Sequence, residues 1–240
     1  METTTIKAEY DRTVISANKA NRLFWLGRYV ERIYMTLHLL RRVSDKMIDG
    51  QPADYEGFWR KLDTTDSYAS TGEFTLGMMY DEQNPGSILS SLNRAMDNAI
   101  MLREDIKSET MSYIEMSIAM MRKYRTEAMD NITNLQPITD WMLAFRGSAA
   151  HRIEDTRILS IIAIGQLTEK IDLMLRFGYS YERIARQYAM LLHWAERLPQ
   201  ILDENIEQQM CDMLRPESYE NTGEDFRWKM CKYVNTLIRA

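Results

Sequence analysis

Two stretches of this chain carry one pattern at a fixed separation, and that constrains the fold more than any other feature. Residues 23–40 read LFWLGRYVERIYMTLHLL, and residues 161–175 read IIAIGQLTEKIDLML. Leu26-Gly27 aligns with Ile164-Gly165, and Glu31-Arg32-Ile33 with Glu169-Lys170-Ile171, at a constant offset (164 − 26 = 138 and 169 − 31 = 138). In the first copy, at about 100° per residue, Leu23, Leu26, Val30, Ile33, Leu37 and Leu40 share one broad helical face. Arg28, Glu31 and Arg32 fall on the other side, interleaved with Phe24, Met35 and Leu39. A solvated face would not mix charges with such side chains, so both sides of this helix are expected to be covered.

Each copy also places a glycine one turn before its acidic residue. A glycine inside a helix costs about 1 kcal/mol relative to alanine, and it is tolerated where another backbone comes close. The spacing therefore predicts that the two helices cross tightly at Gly27 and Gly165, bringing Glu31 and Glu169 together across a local pseudo-two-fold. Arg28, Arg32 and Lys170 would keep such a carboxylate pair ionised. Gln166 stands where the first copy has Arg28, so any site built here is asymmetric. The plainer alternative is a set of ion pairs that fix helix register, which contribute little net stability.

The remaining chain reads as helix after helix. Only 10 Gly and 5 Pro, with no Pro between Pro85 and Pro137, favour long helices over many strands. The 18 Met residues suit the irregular gaps between helices. Residues 1–15 form a polar lead-in, and Ser16 is a plausible N-cap for a helix to about Met47. A short amphipathic helix follows at 53–62. Residues 63–86 are the least regular stretch, either a cover over a site or a wandering connection. Asn84-Pro85-Gly86-Ser87 turns into a helix of 87–106, followed by one at 109–131. A helical pattern over 137–145 is expected to end at Arg146-Gly147, and further helices are expected at 156–177, at 180–197 and in one or two pieces to Ile238. The fold class read from this is all-α, a single bundle of about seven helices over 16–240, with a weak internal repeat at about 17–47 and 156–178.

Several functions are disfavoured by composition and motif. A net charge of −5 and a pI near 5.4 argue against nucleic-acid or anionic-membrane binding. No run approaches the ~18–20 apolar residues of a membrane span, and no basic-then-apolar leader is visible, so a cytoplasmic protein is expected. Cys211 and Cys231 have no metal-ligand spacing and read as reduced, buried small hydrophobes. A dinuclear metal site in a bundle wants Glu-x-x-His, and that pattern does not occur. No metal or cofactor is expected, and neither a phosphate loop nor a nucleophile elbow is present.

The polar positions nevertheless form a recognisable set. Asn21 through Arg32, NRLFWLGRYVER, resembles the opening signature of the bacterial alpha-E family. The likeness continues through Asn84-Pro85-Gly86-Ser87-Ile88, Ser91-Leu92, Asp97-Asn98-Ala99 and Arg103-Glu104, and returns at Ile164-Gly165-Gln166 and Glu169-Lys170. Met96 and Ile100 stand where the family usually has arginines. The resemblance implies a setting: alpha-E proteins are encoded beside, or fused to, circularly permuted ATP-grasp proteins and transglutaminase-like peptidases. It also singles out Arg28, Glu31, Arg32, Asp97, Asn98, Arg103 and Glu169 as family-matching polar positions.

Three readings follow. The first is a non-catalytic helical component of an ATP-grasp-linked, amide-bond-forming system that binds the ligase or its peptide product. The second is an enzyme acting on peptide or amide substrates, with Glu31 and Glu169 as acid and base in a pocket lined by Arg28, Arg32, Asp97, Asn98, Arg103, Gln166 and Lys170. The third is a homo-oligomeric scaffold.

Overall fold

The computed structural model describes residues 14–48, 55–62, 68–127, 131–219 and 223–239; nearly all of the expected polar lead-in lies outside the described residues. Helix α1 spans Ala17–Ile48, and the Ser16 hydroxyl accepts from the Lys19 N–H at 3.3 Å, the N-cap arrangement. Then come α2 (Tyr55–Lys61), α3 (Thr71–Tyr80), α4 (Ile88–Met101), the single turn α5 (Arg103–Ile106) and α6 (Ser108–Thr126). A 3-10 turn at Ile132–Leu135 leads into α7 (Gln136–Arg152), α8 (Thr156–Arg176) and α9 (Tyr181–Ala195). The chain closes with α10 (Glu204–Met213), α11 (Pro216–Tyr219) and α12 (Glu224–Thr236). Among the described residues there is no strand, only an isolated bridge between Leu202 and Ile238. The fold is all-α.

Among the described residues it is cut into more helices than the seven expected, and two of the extra pieces have a clear local cause. Part of the stretch read as irregular is α3, whose N-cap Ser70 accepts from the Glu73 N–H while the Glu73 carboxylate reaches back to the Ala69 N–H. Lys107 adopts a left-handed φ of 69°, which separates α5 from α6. Conversely, Gly147 does not end α7: the helix runs on to Arg152, and a side chain at Gly147 would meet open space. Gly178 does close α8, at φ +65°, where glycine has no steric penalty. Cys231 is buried but Cys211 is exposed, so the expectation of two buried thiols holds for only one.

The centre of the bundle is the pair α1 and α8. The apolar face of α1 from Leu23 to Leu40 is buried, as are Phe24, Met35 and Leu39 on its other side. In α8 nearly every position from Ile158 to Leu175 is buried, the mark of a helix surrounded on all sides. Helices α4 and α7 pack on α1, helices α9 and α12 on α8, and α6 bridges α4 and α7. The two central helices run in the same direction, because their partners climb together: Phe24 with Gly165, Arg28 with Glu169, Arg42 with Tyr179.

Candidate functional site

Close backbone contact makes the crossing. A Cβ built on Gly27 would land on the Ile162 carbonyl, and one built on Gly165 would land on the Phe24 carbonyl. These contacts exchange under the offset seen in the sequence (165 − 27 = 138 and 162 − 24 = 138). With nothing larger than hydrogen at either position, side chains one turn onward reach from one helix onto the other.

Glu169 is the best-held charge in the protein. Arg28 Nε donates to its Oε2 at 2.7 Å, Arg32 Nε to its Oε1 at 2.5 Å and Arg32 Nη2 to Oε2 at 3.1 Å. Its side chain is only 1% exposed. Burial pushes the carboxyl upward, but the charges and hydrogen bonds of Arg32 and Arg28 outweigh it and hold the group down at about 2. Arg28 also stacks over the Trp25 ring, 4.9 Å from its centroid.

Glu31, the offset-related residue, has a different environment. Gln166 supplies no charge, and the counter-cation is Arg146 of α7, which donates through Nη2 to Glu31 Oε2 while its guanidinium lies over Tyr34. The second oxygen, Oε1, is shut away from water and has no hydrogen-bond partner among the described residues. Burial raises the Glu31 carboxyl; Arg146 and Lys170 offset this only partly, and nearby Glu169 adds to the rise. Lys170, the offset counterpart of Arg32, acts on Glu31 through charge alone, with no hydrogen bond to it among the described residues.

Beside Glu169 lies a cleft of about 190 Å³, lined by Arg32, Thr36, Leu62, Pro85, Gly86, Glu169, Asp172, Leu173 and Arg176. Arg176 Nε donates to Asp172 Oδ2 at 2.8 Å, and Asn235 Nδ2 donates to Asp172 Oδ1 at 2.8 Å. The turn at Asn84-Pro85-Gly86 rims this cleft: Asn84 is buried, and its Oδ1 accepts from the Gly86 N–H at 2.8 Å. A second cleft of about 220 Å³ has Leu39, Val43, Phe58 and Phe177 as apolar lining, with Arg42, Lys46 and Lys61 around them.

Of the residues expected at one site, the structure gathers Arg28, Glu31, Arg32, Glu169 and Lys170. Gln166 is half-buried at the crossing, its backbone against Gly27. Asp97, Asn98 and Arg103 lie elsewhere. Asp97 is exposed, Asn98 Nδ2 donates to the Arg94 carbonyl of its own helix, and exposed Arg103 donates to the Ser108 hydroxyl. None of the three lines the cleft. Sequence reasoning missed Arg146, which carries no signal, and also Asp172 and Arg176, which an i,i+4 acid–base spacing in α8 could have indicated.

Residues 15–199 match the model of the Alpha-E family, described as a predicted alpha-helical domain with a conserved ER motif. The chain belongs to the Alpha-E family. No curated protein and no solved structure matches it. Three Glu-Arg steps fall within the Alpha-E match, and two of them, Glu182-Arg183 and Glu196-Arg197, are exposed. The third, Glu31-Arg32, sits at the helix crossing and sends its two charges to different helices: Glu31 to Arg146 on α7, Arg32 to Glu169 on α8. One dipeptide thereby ties α1 to α7 and to α8. The Alpha-E match stops before α10–α12, so Asn235, which holds Asp172, lies beyond it.

Proposed function

We propose that this Alpha-E chain is a non-catalytic helical component of an ATP-grasp-linked system that forms amide bonds in the bacterial cytoplasm, where it binds the ligase or its peptide product. The setting comes from the family resemblance. The observation that carries the non-catalytic part is Glu169: both oxygens are taken by Arg28 and Arg32, and the carboxyl stays ionised far below neutral pH. A general acid or base needs an oxygen within reach of substrate and a pKa near the working pH, and Glu169 has neither. No helix among the described residues is long and apolar enough to cross a membrane, which is compatible with this setting. Co-expression of the tagged chain with a circularly permuted ATP-grasp protein tests the proposal: co-purification at micromolar concentration is the expected result, and no association overturns it.

A second reading keeps an enzyme acting on peptide or amide substrates, with Glu31 alone as the acid–base group. Its raised carboxyl and unpartnered Oε1 favour it. Amide hydrolysis by the isolated chain that disappears in a folded Glu31→Gln variant would establish this reading in place of the first.

A further inference from the structure

The acids lining the cleft, Glu169 and Asp172, are already engaged on every oxygen, while its arginines still have free N–H groups. Glu169 receives three N–H bonds and Asp172 one on each oxygen. Among the described residues, Arg32 Nη1 and Arg176 Nη2 donate to no protein acceptor, since Arg32 uses only Nε and Nη2, and Arg176 only Nε and Nη1. The charges lining the cleft balance, the guanidiniums of Arg32 and Arg176 against two carboxylates, and Arg28, bonded to Glu169 from outside the lining, adds a third cation. A third observation is independent of charge. Thr36 lines the cleft at 1% exposure, and its hydroxyl oxygen is shut from water with no hydrogen-bond partner. A buried hydroxyl left unbonded costs about 1–3 kcal/mol, a cost that an acceptor entering the cleft would relieve once the Thr36 side chain turns towards it.

We propose that this cleft is a binding site for a small oxyanion, a carboxylate or a phosphate group, held by Arg32, Arg176 and Thr36 and rimmed by Pro85-Gly86. Two arginines presenting planar N–H groups to one volume are matched to such an anion. The volume limits the occupant. About 190 Å³ lies below the ~300–1,000 Å³ of a pocket that encloses a whole ligand. The cleft therefore takes the charged end of a molecule and leaves the remainder outside. This site stands on its own geometry and would remain if the ligase proposal failed.

Calorimetric titration of the full chain with sodium phosphate and, separately, sodium acetate tests this, at an ionic strength matched with sodium chloride. One or both anions are expected to bind with a dissociation constant of millimolar or tighter and to raise Tm above the chloride control. Binding is expected to weaken at least tenfold in Arg176→Gln and severalfold in Thr36→Val, which keeps the side-chain shape. Binding of acetate alone marks a carboxylate-bearing ligand, and of phosphate alone a phosphoryl-bearing one; either supports the site. Should Arg176→Gln fail to fold, Arg176→Lys retains the charge without the planar fork and is expected to bind more weakly than wild type. Response to neither anion beyond chloride, or unchanged affinity in a folded Arg176 variant, overturns the proposal and leaves a cleft that holds water only.

Discussion

Arg28 of α1 donates to Glu169 of α8 at 2.7 Å, with the arginine side chain 7% exposed and the glutamate 1%. This pair and the Arg32 bonds beside it make one carboxylate the anchor between the two central helices. Its offset-related partner, Glu31, has a single, partly exposed arginine and one oxygen with no hydrogen bond. Equivalent positions in the pattern therefore carry unequal burdens.

Glu169→Gln is expected to be strongly destabilising. It strands Arg28 and Arg32 without their anion in a buried setting, and breaking such a cluster costs about 3–5 kcal/mol. Urea unfolding followed by circular dichroism measures the loss, and one below about 1 kcal/mol would mean that the cluster is solvated.

Glu31→Gln is expected to cost much less, under about 1 kcal/mol. Glutamine nearly preserves the shape, removes a carboxylate whose burial already disfavours its charge, and leaves Arg146, which is 26% exposed, free to turn towards water. Equal losses from Glu31→Gln and Glu169→Gln would contradict the asymmetry drawn here.

The pH dependence follows from the same contrast. Glu169 is held below its ordinary value of 4.5, at about 2, so its contribution is fully present above about pH 4.5 and is lost as pH falls towards 2. A shift of that size is worth on the order of 3 kcal/mol. Glu31 is raised, so its contribution has the opposite sign: present below the ordinary value and lost as pH rises through the raised one. Urea midpoints of wild type and Glu169→Gln are expected to converge as pH is lowered from 6 to 3. A constant gap over that range would show that the Glu169 carboxyl is not depressed.

Gly27→Ala and Gly165→Ala test the crossing. Alanine is the better helix former by about 1 kcal/mol, yet its Cβ would strike a backbone carbonyl that cannot move aside like a side-chain tip. Each substitution is expected to cost at least about 1–3 kcal/mol, whereas Gly147→Ala, where a Cβ meets nothing, is expected to be neutral or stabilising. Thermal unfolding of the three variants separates propensity from contact.

The core of the fold was legible because it is written as periodicity. Leu23, Leu26, Val30, Ile33, Leu37 and Leu40 are all buried, and the mid-helix glycines meet the opposing backbone as their position implies. The site was half legible. Arg28, Arg32 and Glu169 form the predicted cluster, but Arg146 comes from a helix with no relation to the repeated pattern, and only tertiary packing brings it to Glu31. Asp97, Asn98 and Arg103 rest on likeness to a family signature, which says nothing about which face of α4 or α5 meets the crossing. The extra helices were missed where capping by Ser70 and Glu73 outweighed a composition that reads as a loop.

Because α1 and α8 point the same way, the chain between them must travel back along the bundle before the second helix can dock. Most helical proteins join neighbours along the chain and so close their contacts early; here the main seam joins segments well over a hundred positions apart, and the entropy of that closure precedes any reward. Since the amino-terminal part of a chain is made first, α1 cannot complete its main seam, or bury Arg28 and Arg32 against their anion, until Glu169 has been made.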